Sequence, residues 1–294
     1  MMIGHTRQRA YMKSVYESGT AAHAYLFFGP EHIGKLAIAK EWVKFFFPEE
    51  NAALIDRGAH PDVLYLSRER LLVTENQKEI GIDDVREVRR RIALRPNSGA
   101  HFFVIIDGAE DLSEEAQNSF LKVLEEPPSY ARCILITDSP ERLLPTVVSR
   151  TVPMEFAFVS DTEISAYLSD RRVSSDEREK ILMVSFGRPG IAARMCEDKE
   201  FYKKESGEYE SFARAAHADM IDQFLWSQKM SQDADAIEKF FFFLLVECRK
   251  RLLAEPARAE ALSAREILRL LDMMRETNVN RRLLLDNVFL SLSR

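Results

Sequence analysis

A chain of 294 residues is long enough for two or three domains with a substantial core. Charged residues make up 30% of it and the net charge is −6, so it has no overall basic footprint, and any nucleic-acid contact must come from a local patch or a shared assembly. Its three cysteines, Cys133, Cys196 and Cys248, are far apart and odd in number, which argues against a disulfide framework or a Cys-cluster zinc site and fits a reducing compartment.

The opening stretch, MMIGHTRQR, lacks the apolar core of a signal peptide, and residues 7–18 read as a short amphipathic helix. A core strand, Ala24 to Phe28, runs straight into Gly29-Pro30-Glu31-His32-Ile33-Gly34-Lys35, and a helical pattern follows from Leu36 to Phe47. This G-x-x-x-x-G-K spacing between strand and helix is that of a P-loop, in which backbone N–H groups and a helix N-terminus cradle phosphates. Gly29, Gly34 and Lys35 are therefore candidate nucleotide contacts. The next residue, however, is Leu36, where the motif needs a Ser or Thr hydroxyl for Mg²⁺. A P-loop fold is expected; whether it holds ATP or ADP stays open.

His60 to Leu66 gives a second strand, with His60 read as a capping or packing residue because no second His or Cys stands nearby. Ile82 to Ile92 reads as a helix with Ile82, Val85, Val88, Arg89 and Ile92 on its buried side. Arg86, Arg90 and Arg91 are left for solvent or for the phosphates of a polyanion.

The apolar run Val104-Ile105-Ile106 ends on Asp107, the pattern of a buried parallel strand with a carboxylate at its carboxyl end, where P-loop folds hold Mg²⁺. Active ATPases of this kind place a Glu next, to polarise the attacking water; here that position is Gly108. Glu110, two residues on, is expected to point elsewhere. A helix follows, with Ser113 as N-cap, Glu114 and Glu115 in its first turn, Ala116, Phe120, Leu121 and Leu124 on one face, and Pro127-Pro128 as its stop. Cys133 to Asp138 is another buried strand, on which Thr137 either senses a γ-phosphate or makes a local hydrogen bond. Pro140 to Arg150 reads as a short helix delivering Ser149-Arg150, and Thr151 to Phe156 closes the sheet. Five strands, four followed by helical patterns, predict a parallel doubly wound α/β core.

Composition shifts after Phe158. Short helices are expected over Thr162–Leu168, Ser175–Phe186 and, after a Gly187-Arg188-Pro189-Gly190 break, Ile191–Cys196. From 206 to 294 the pattern is wholly helical, with segments at Ala236–Leu253, Ala264–Thr277 and Arg281–Leu292 and a linker at Glu255-Pro256. The longest apolar run, Phe240 to Val246, is too short to span a membrane, so a cytoplasmic protein without membrane contact is expected. Phe240–Phe243 reads as bundle core or as an oligomer interface. The stripe from Leu283 to Leu292 is too broad for a lone helix, which implies a bundle and burial against other chains.

Several of these segments resemble the AAA+ clamp-loader family, and within it the delta-prime-like subunits. They are His23-Ala24-Tyr25-Leu26-Phe27, His60-Pro61-Asp62, Ala116 through Pro128 with its LEEPP ending, Ser149-Arg150 after Leu144-Pro145, and Asn278-Val279-Asn280 before the last helix. The resemblance implies an AAA+ P-loop domain with a five-stranded parallel sheet over 1–158, a small helical lid over 159–205 and an all-α collar over 206–294 that joins subunits in a ring. It implies gamma/tau and delta subunits, a sliding clamp and primed DNA as partners, and no hydrolysis by this chain itself. Leu36, Gly108 and Ile191, which stands where active relatives carry a sensing Arg, agree with that. The implied catalytic contribution is Arg150 as an arginine finger reaching a neighbour's ATP. A separate expectation, from the charge of the helix face, is that Arg86, Arg90 and Arg91 touch the phosphates of primed DNA, the alternative being a solvated face. Thr151 replaces the usual Cys of the Ser-Arg-Cys motif, and Phe47 to Ala59 contains no Cys, so the zinc module of many relatives is absent. The competing expectation is an active gamma/tau-like ATPase subunit.

Overall fold

Alternating aromatic and branched residues build the sheet from both sides at once. In β1 (Ala24–Phe28), Tyr25 and Phe27 face one helical layer while Ala24 and Leu26 face the other. The computed structural model describes residues 3–71, 79–97, 100–171, 173–254, 258–276 and 280–292, in two compact units, Met1–Ala193 and Arg194–Arg294. Asn278, Val279 and the Glu255-Pro256 linker lie outside the described residues.

The first unit opens with α1 (Thr6–Glu17), followed by β1, α2 (Lys35–Lys44), α3 (Ala52–Asp56), β2 (Val63–Ser67) and α4 (Ile82–Ala93). Then come β3 (Phe102–Asp107), α5 (Glu114–Glu125), β4 (Ala131–Thr137), α6 (Pro145–Val148) and β5 (Val152–Glu155). The strands form one parallel sheet, as the doubly wound pattern predicts, and their order is β2-β3-β4-β1-β5. One face packs Leu26, Val104, Ile106 and Leu135 under α4 and α5; the other packs Phe27, Phe103, Ile105 and Ile136 under α1 and α2, with Trp42 fully buried. The three inner strands, β1, β3 and β4, are buried on both faces and carry long apolar runs, whereas the edge strand β5 buries only Met154.

The register aligns the carboxyl ends of the strands: Phe28 lies opposite Thr137, and Ser67 opposite Asp107. The ends of β1, β3 and β4 therefore meet on one edge, where ligands bind in such sheets. Three short helices complete this unit's fold, α7 (Asp161–Asp170), α8 (Ser175–Ser185) and α9 (Pro189–Glu197), which runs on into the second unit. Helix α9 starts inside the expected Gly-Arg-Pro-Gly break because Pro189 opens it, a first-turn position where a missing N–H costs nothing.

The second unit is helical: α10 (Lys199–Ala216), α11 (Met220–Met230), α12 (Ala234–Ala254), α13 (Arg258–Glu276) and α14 (Arg281–Leu292). Phe240, Phe241 and Phe243 are buried with Phe212, Leu284, Leu285, Val288 and Phe289, so the Phe run forms bundle core. Leu283 and Leu290, by contrast, stay 60% and 43% exposed: the broad leucine stripe is wider than this bundle covers. No helix among the described residues is long and apolar enough to cross a membrane.

A nucleotide-type cleft and the arginine beyond it

The chain between β1 and α2 makes its turn on backbone that few side chains tolerate. Gly29 has φ +138°, and a Cβ there would lie 2.0 Å from the Phe156 carbonyl oxygen; Gly34, which caps α2, has φ +92°. These two motif glycines thus serve the turn itself. Lys35 is buried, and its ammonium turns back on the loop, donating to the carbonyl oxygens of Gly29 and of Pro30, the latter at 2.9 Å. Burial lowers its pKa, while Asp138, Glu110 and Asp107 raise it.

A cleft of about 1020 Å³ opens beside this loop, and Gly34, Lys35, Leu36, Tyr65, Asp107, Glu110, Thr137 and Asp138 are among its lining residues. Thus Lys35, at the start of α2, converges with Asp107 and Thr137, at the carboxyl ends of β3 and β4. Their bonds are internal, however. Asp107 Oδ2 accepts a 3.1 Å hydrogen bond from the Tyr65 hydroxyl of the adjacent strand, and burial holds the Asp107 carboxyl above its usual range. Tyr65 in turn is pushed up to about 12 by burial and by Asp107. Thr137 Oγ1 accepts from Ser139 N at 3.0 Å, the local bond among its two readings. Among the described residues, eight carboxylates and five Lys and Arg side chains line the cleft.

Glu110 corrects an expectation. Rather than pointing away, it turns into the cleft, where its Oε1 accepts from Asp138 N at 3.3 Å and its Oε2 has no hydrogen-bond partner among the described residues. The turn Gly108–Asp111 causes this: Gly108 takes φ +81° and Asp111 N bonds back to its carbonyl, swinging the intervening residues toward β4. Burial, with Asp138 beside it, raises the Glu110 carboxyl to about 7, and the hydrogen bond with Glu110 lowers Asp138. Two other segments reach the loop: at the start of α9, Gly190 N donates to His32 O at 2.8 Å, and ahead of α1, His5 Nε2 bonds Ile33 O at 2.8 Å.

Arg150 follows α6, outside the cleft's lining. Its side chain is 37% exposed, its Nη1 donates to Thr146 O at 3.0 Å, and its Nη2 pairs with Glu125 Oε1 at 2.8 Å. What sets α6 in place is Gln117, a buried residue that pattern reading passes over. Its Oε1 accepts from Leu144 N at 2.7 Å, and its Nε2 donates to Leu112 O at 3.2 Å and Arg142 O at 3.4 Å. The available signal is a polar residue beside the apolar face of α5, one position after Ala116.

On α4, Arg86, Arg90 and Arg91 are exposed as expected, but each carries an acid: Arg86 pairs with Asp83, and Arg90 and Arg91 both pair with Glu87. The hydrogen bonds from Arg90 and Arg91 lower the Glu87 carboxyl to about 2. Arg89 is exposed and not on the buried side; Asp84 takes that place, fully buried, with Oδ2 accepting from Gly81 N at 3.3 Å. His60 is a packing residue, its ring tilted 54° against Phe47 at 4.4 Å between centroids and its Nδ1 accepting from Asp62 N. No group of side chains fit to hold a metal ion occurs among the described residues.

The five-stranded parallel order and the turn between β1 and α2 define an α/β protein of the P-loop kind. The chain belongs to the DNA polymerase III delta subunit family, whose model matches residues 4–160. It is 33% identical over 189 residues to DNA polymerase III subunit delta' of Pseudomonas aeruginosa, covering 59% of this chain and 56% of that one. With subunit delta' of Bacillus subtilis it shares 32% over 180 residues, 57% of this chain and 53% of the relative. To subunit tau/gamma of Haemophilus influenzae it is 28% identical over 158 residues, 50% of this chain and 22% of that one. The chain thus resembles the delta-prime branch, and its matches span about half the length of the delta-prime relatives.

Proposed function

We propose that this protein is a non-hydrolysing, delta-prime-like clamp-loader subunit that lends Arg150 to the ATP site of a neighbouring subunit. One observation carries the first half: the chain's own groups take up the side chains a magnesium nucleotide needs. Lys35 bonds its own loop, Asp107 bonds Tyr65, and Leu36 offers no hydroxyl. The residues present do not fit Mg–ATP, which supports a cleft that does not hydrolyse it.

The second half is supported by the place of Arg150, at the end of a short helix and open to solvent on one side. A guanidinium brought to a neighbour's γ-phosphate stabilises charge on the transferring phosphoryl group, and such fingers contribute on the order of 10³–10⁵ in rate. Assembly would be through the second unit, with gamma/tau and delta subunits, to place a sliding clamp on primed DNA; the exposed Leu283 and Leu290 support a collar that meets other chains. The exposed arginines of α4 are proposed to face the DNA phosphates, exchanging Asp83 and Glu87 for them.

A second reading, an active gamma/tau-like ATPase, has one observation in its favour: Glu110 lines the cleft beside Lys35 and so stands in a base's neighbourhood. Steady-state turnover and equilibrium ATP binding by the purified chain, with and without primed DNA, separate the two. The proposal expects neither saturable binding nor turnover above background. Turnover that disappears in Glu110→Gln would establish the ATPase reading instead.

A further inference from the structure

Two motifs well separated in the sequence, LEEPP and Ser-Arg, meet in the fold through a single ion pair. Helix α5 ends at Glu125, just ahead of Pro127-Pro128, and its Oε1 receives the Nη2 of Arg150 at 2.8 Å. The other terminal nitrogen, Nη1, is held at 3.0 Å by the carbonyl of Thr146, inside the short helix that leads to Arg150. A guanidinium carries five N–H donors in one plane. Two anchors on two nitrogens fix that plane and leave the remaining donors for another acceptor.

We propose that Glu125 is the positioning residue for Arg150: it fixes the guanidinium plane in the orientation that meets an incoming phosphate. This rests on the finger reading above. Thr146 alone is a poor anchor, because it belongs to the same four-residue helix as the turn that carries Arg150, and that helix has a single turn of its own hydrogen bonds. Glu125 supplies the independent reference point, since α5 is a 12-residue helix capped by Ser113 and packed on the sheet through Ala116, Phe120 and Leu124. The pair contributes little to folding: its side chains are 37% and 47% exposed, and exposed pairs are worth little in stability. An ion pair that does little for the fold, placed on the side chain that does the chemistry, is explained by orientation. A long side chain held in advance spends less conformational freedom when its phosphate arrives.

The test is ATP turnover by the reconstituted assembly carrying Glu125→Ala, Glu125→Gln, Arg150→Ala or Glu125→Ala with Arg150→Ala. Glu125→Ala is expected to lower kcat by about 3- to 10-fold at an unchanged KM for ATP, within the coupling range of groups in direct contact. Glu125→Gln keeps an acceptor oxygen and is expected to restore most of the rate. The double variant is expected to turn over no more slowly than Arg150→Ala alone, because Glu125 acts only through the arginine. Loss of rate in Arg150→Ala together with wild-type or faster turnover in Glu125→Ala overturns the positioning role and leaves the finger in place; faster turnover would make Glu125 a restraint. Wild-type turnover in Arg150→Ala overturns the finger, and the role of Glu125 with it.

Discussion

Glu110 shows how a single side chain records the character of this cleft. Its carboxyl is raised to about 7 by burial and by Asp138, with Lys35, Asp107 and Glu31 close to the same group. In the unfolded chain it titrates near 4.5. Between those values the folded protein holds a proton that the unfolded chain has lost, so this group's stabilisation is complete below about 4.5 and is lost as pH rises through about 7. Glu110→Gln removes the titration, and the melting temperature of the wild type relative to this variant is expected to fall over that interval. A difference that stays flat with pH would return Glu110 to an ordinary exposed carboxylate. The missing hydroxyl at Leu36 and the missing base at Gly108 were legible from the sequence, because each is a residue type at a motif position. The bonds from Tyr65 to Asp107 and from Glu125 to Arg150 were not, since each depends on how strand or helix ends align across a long separation.

At the scale of elements, the turn between β1 and α2 is clamped by what packs on it. A Cβ on Gly190 would lie 2.6 Å from the His32 carbonyl oxygen, the same oxygen that receives the Gly190 N–H. Gly190→Ala must push α9 off the loop, and a cost of about 1–3 kcal/mol is expected in denaturant unfolding, as for other overpacked contacts. Gly207, inside α10, has nothing within 4 Å of an added Cβ, so Gly207→Ala is expected to stabilise by about 0.5–1 kcal/mol. Equal effects of the two substitutions would contradict this account of the clamp. Five strands and their parallel sense were legible from apolar segments alternating with helical patterns, and several helices from their apolar stripes; the strand order and the bounds of α10 and α11 were not, since they depend on pairing and packing across long separations. The exchange of Arg89 for Asp84 on the inner side of α4 was hidden, because Asp84 is buried for its bond to the Gly81 N–H, a local polar need that apolar periodicity does not register.

For the whole molecule, the net charge of −6 gives no overall basic footprint, so the proposed DNA contact rests on a small patch within an assembly. Replacing Arg86, Arg90 and Arg91 together with Ala is expected to reduce the slope of log affinity against log salt for the assembly on primed DNA, by about 0.9 for each phosphate no longer neutralised. An unaltered slope would leave these side chains to Asp83 and Glu87 alone. The central claim is that this subunit's own cleft is silent while its arginine acts elsewhere. The most direct measurement compares steady-state ATP hydrolysis by the reconstituted assembly containing Lys35→Met with that containing Arg150→Ala. The account predicts that Lys35→Met leaves turnover at the wild-type level and that Arg150→Ala lowers it. Abolished turnover in Lys35→Met, with Arg150→Ala unaffected, would contradict it and make this chain a working ATPase.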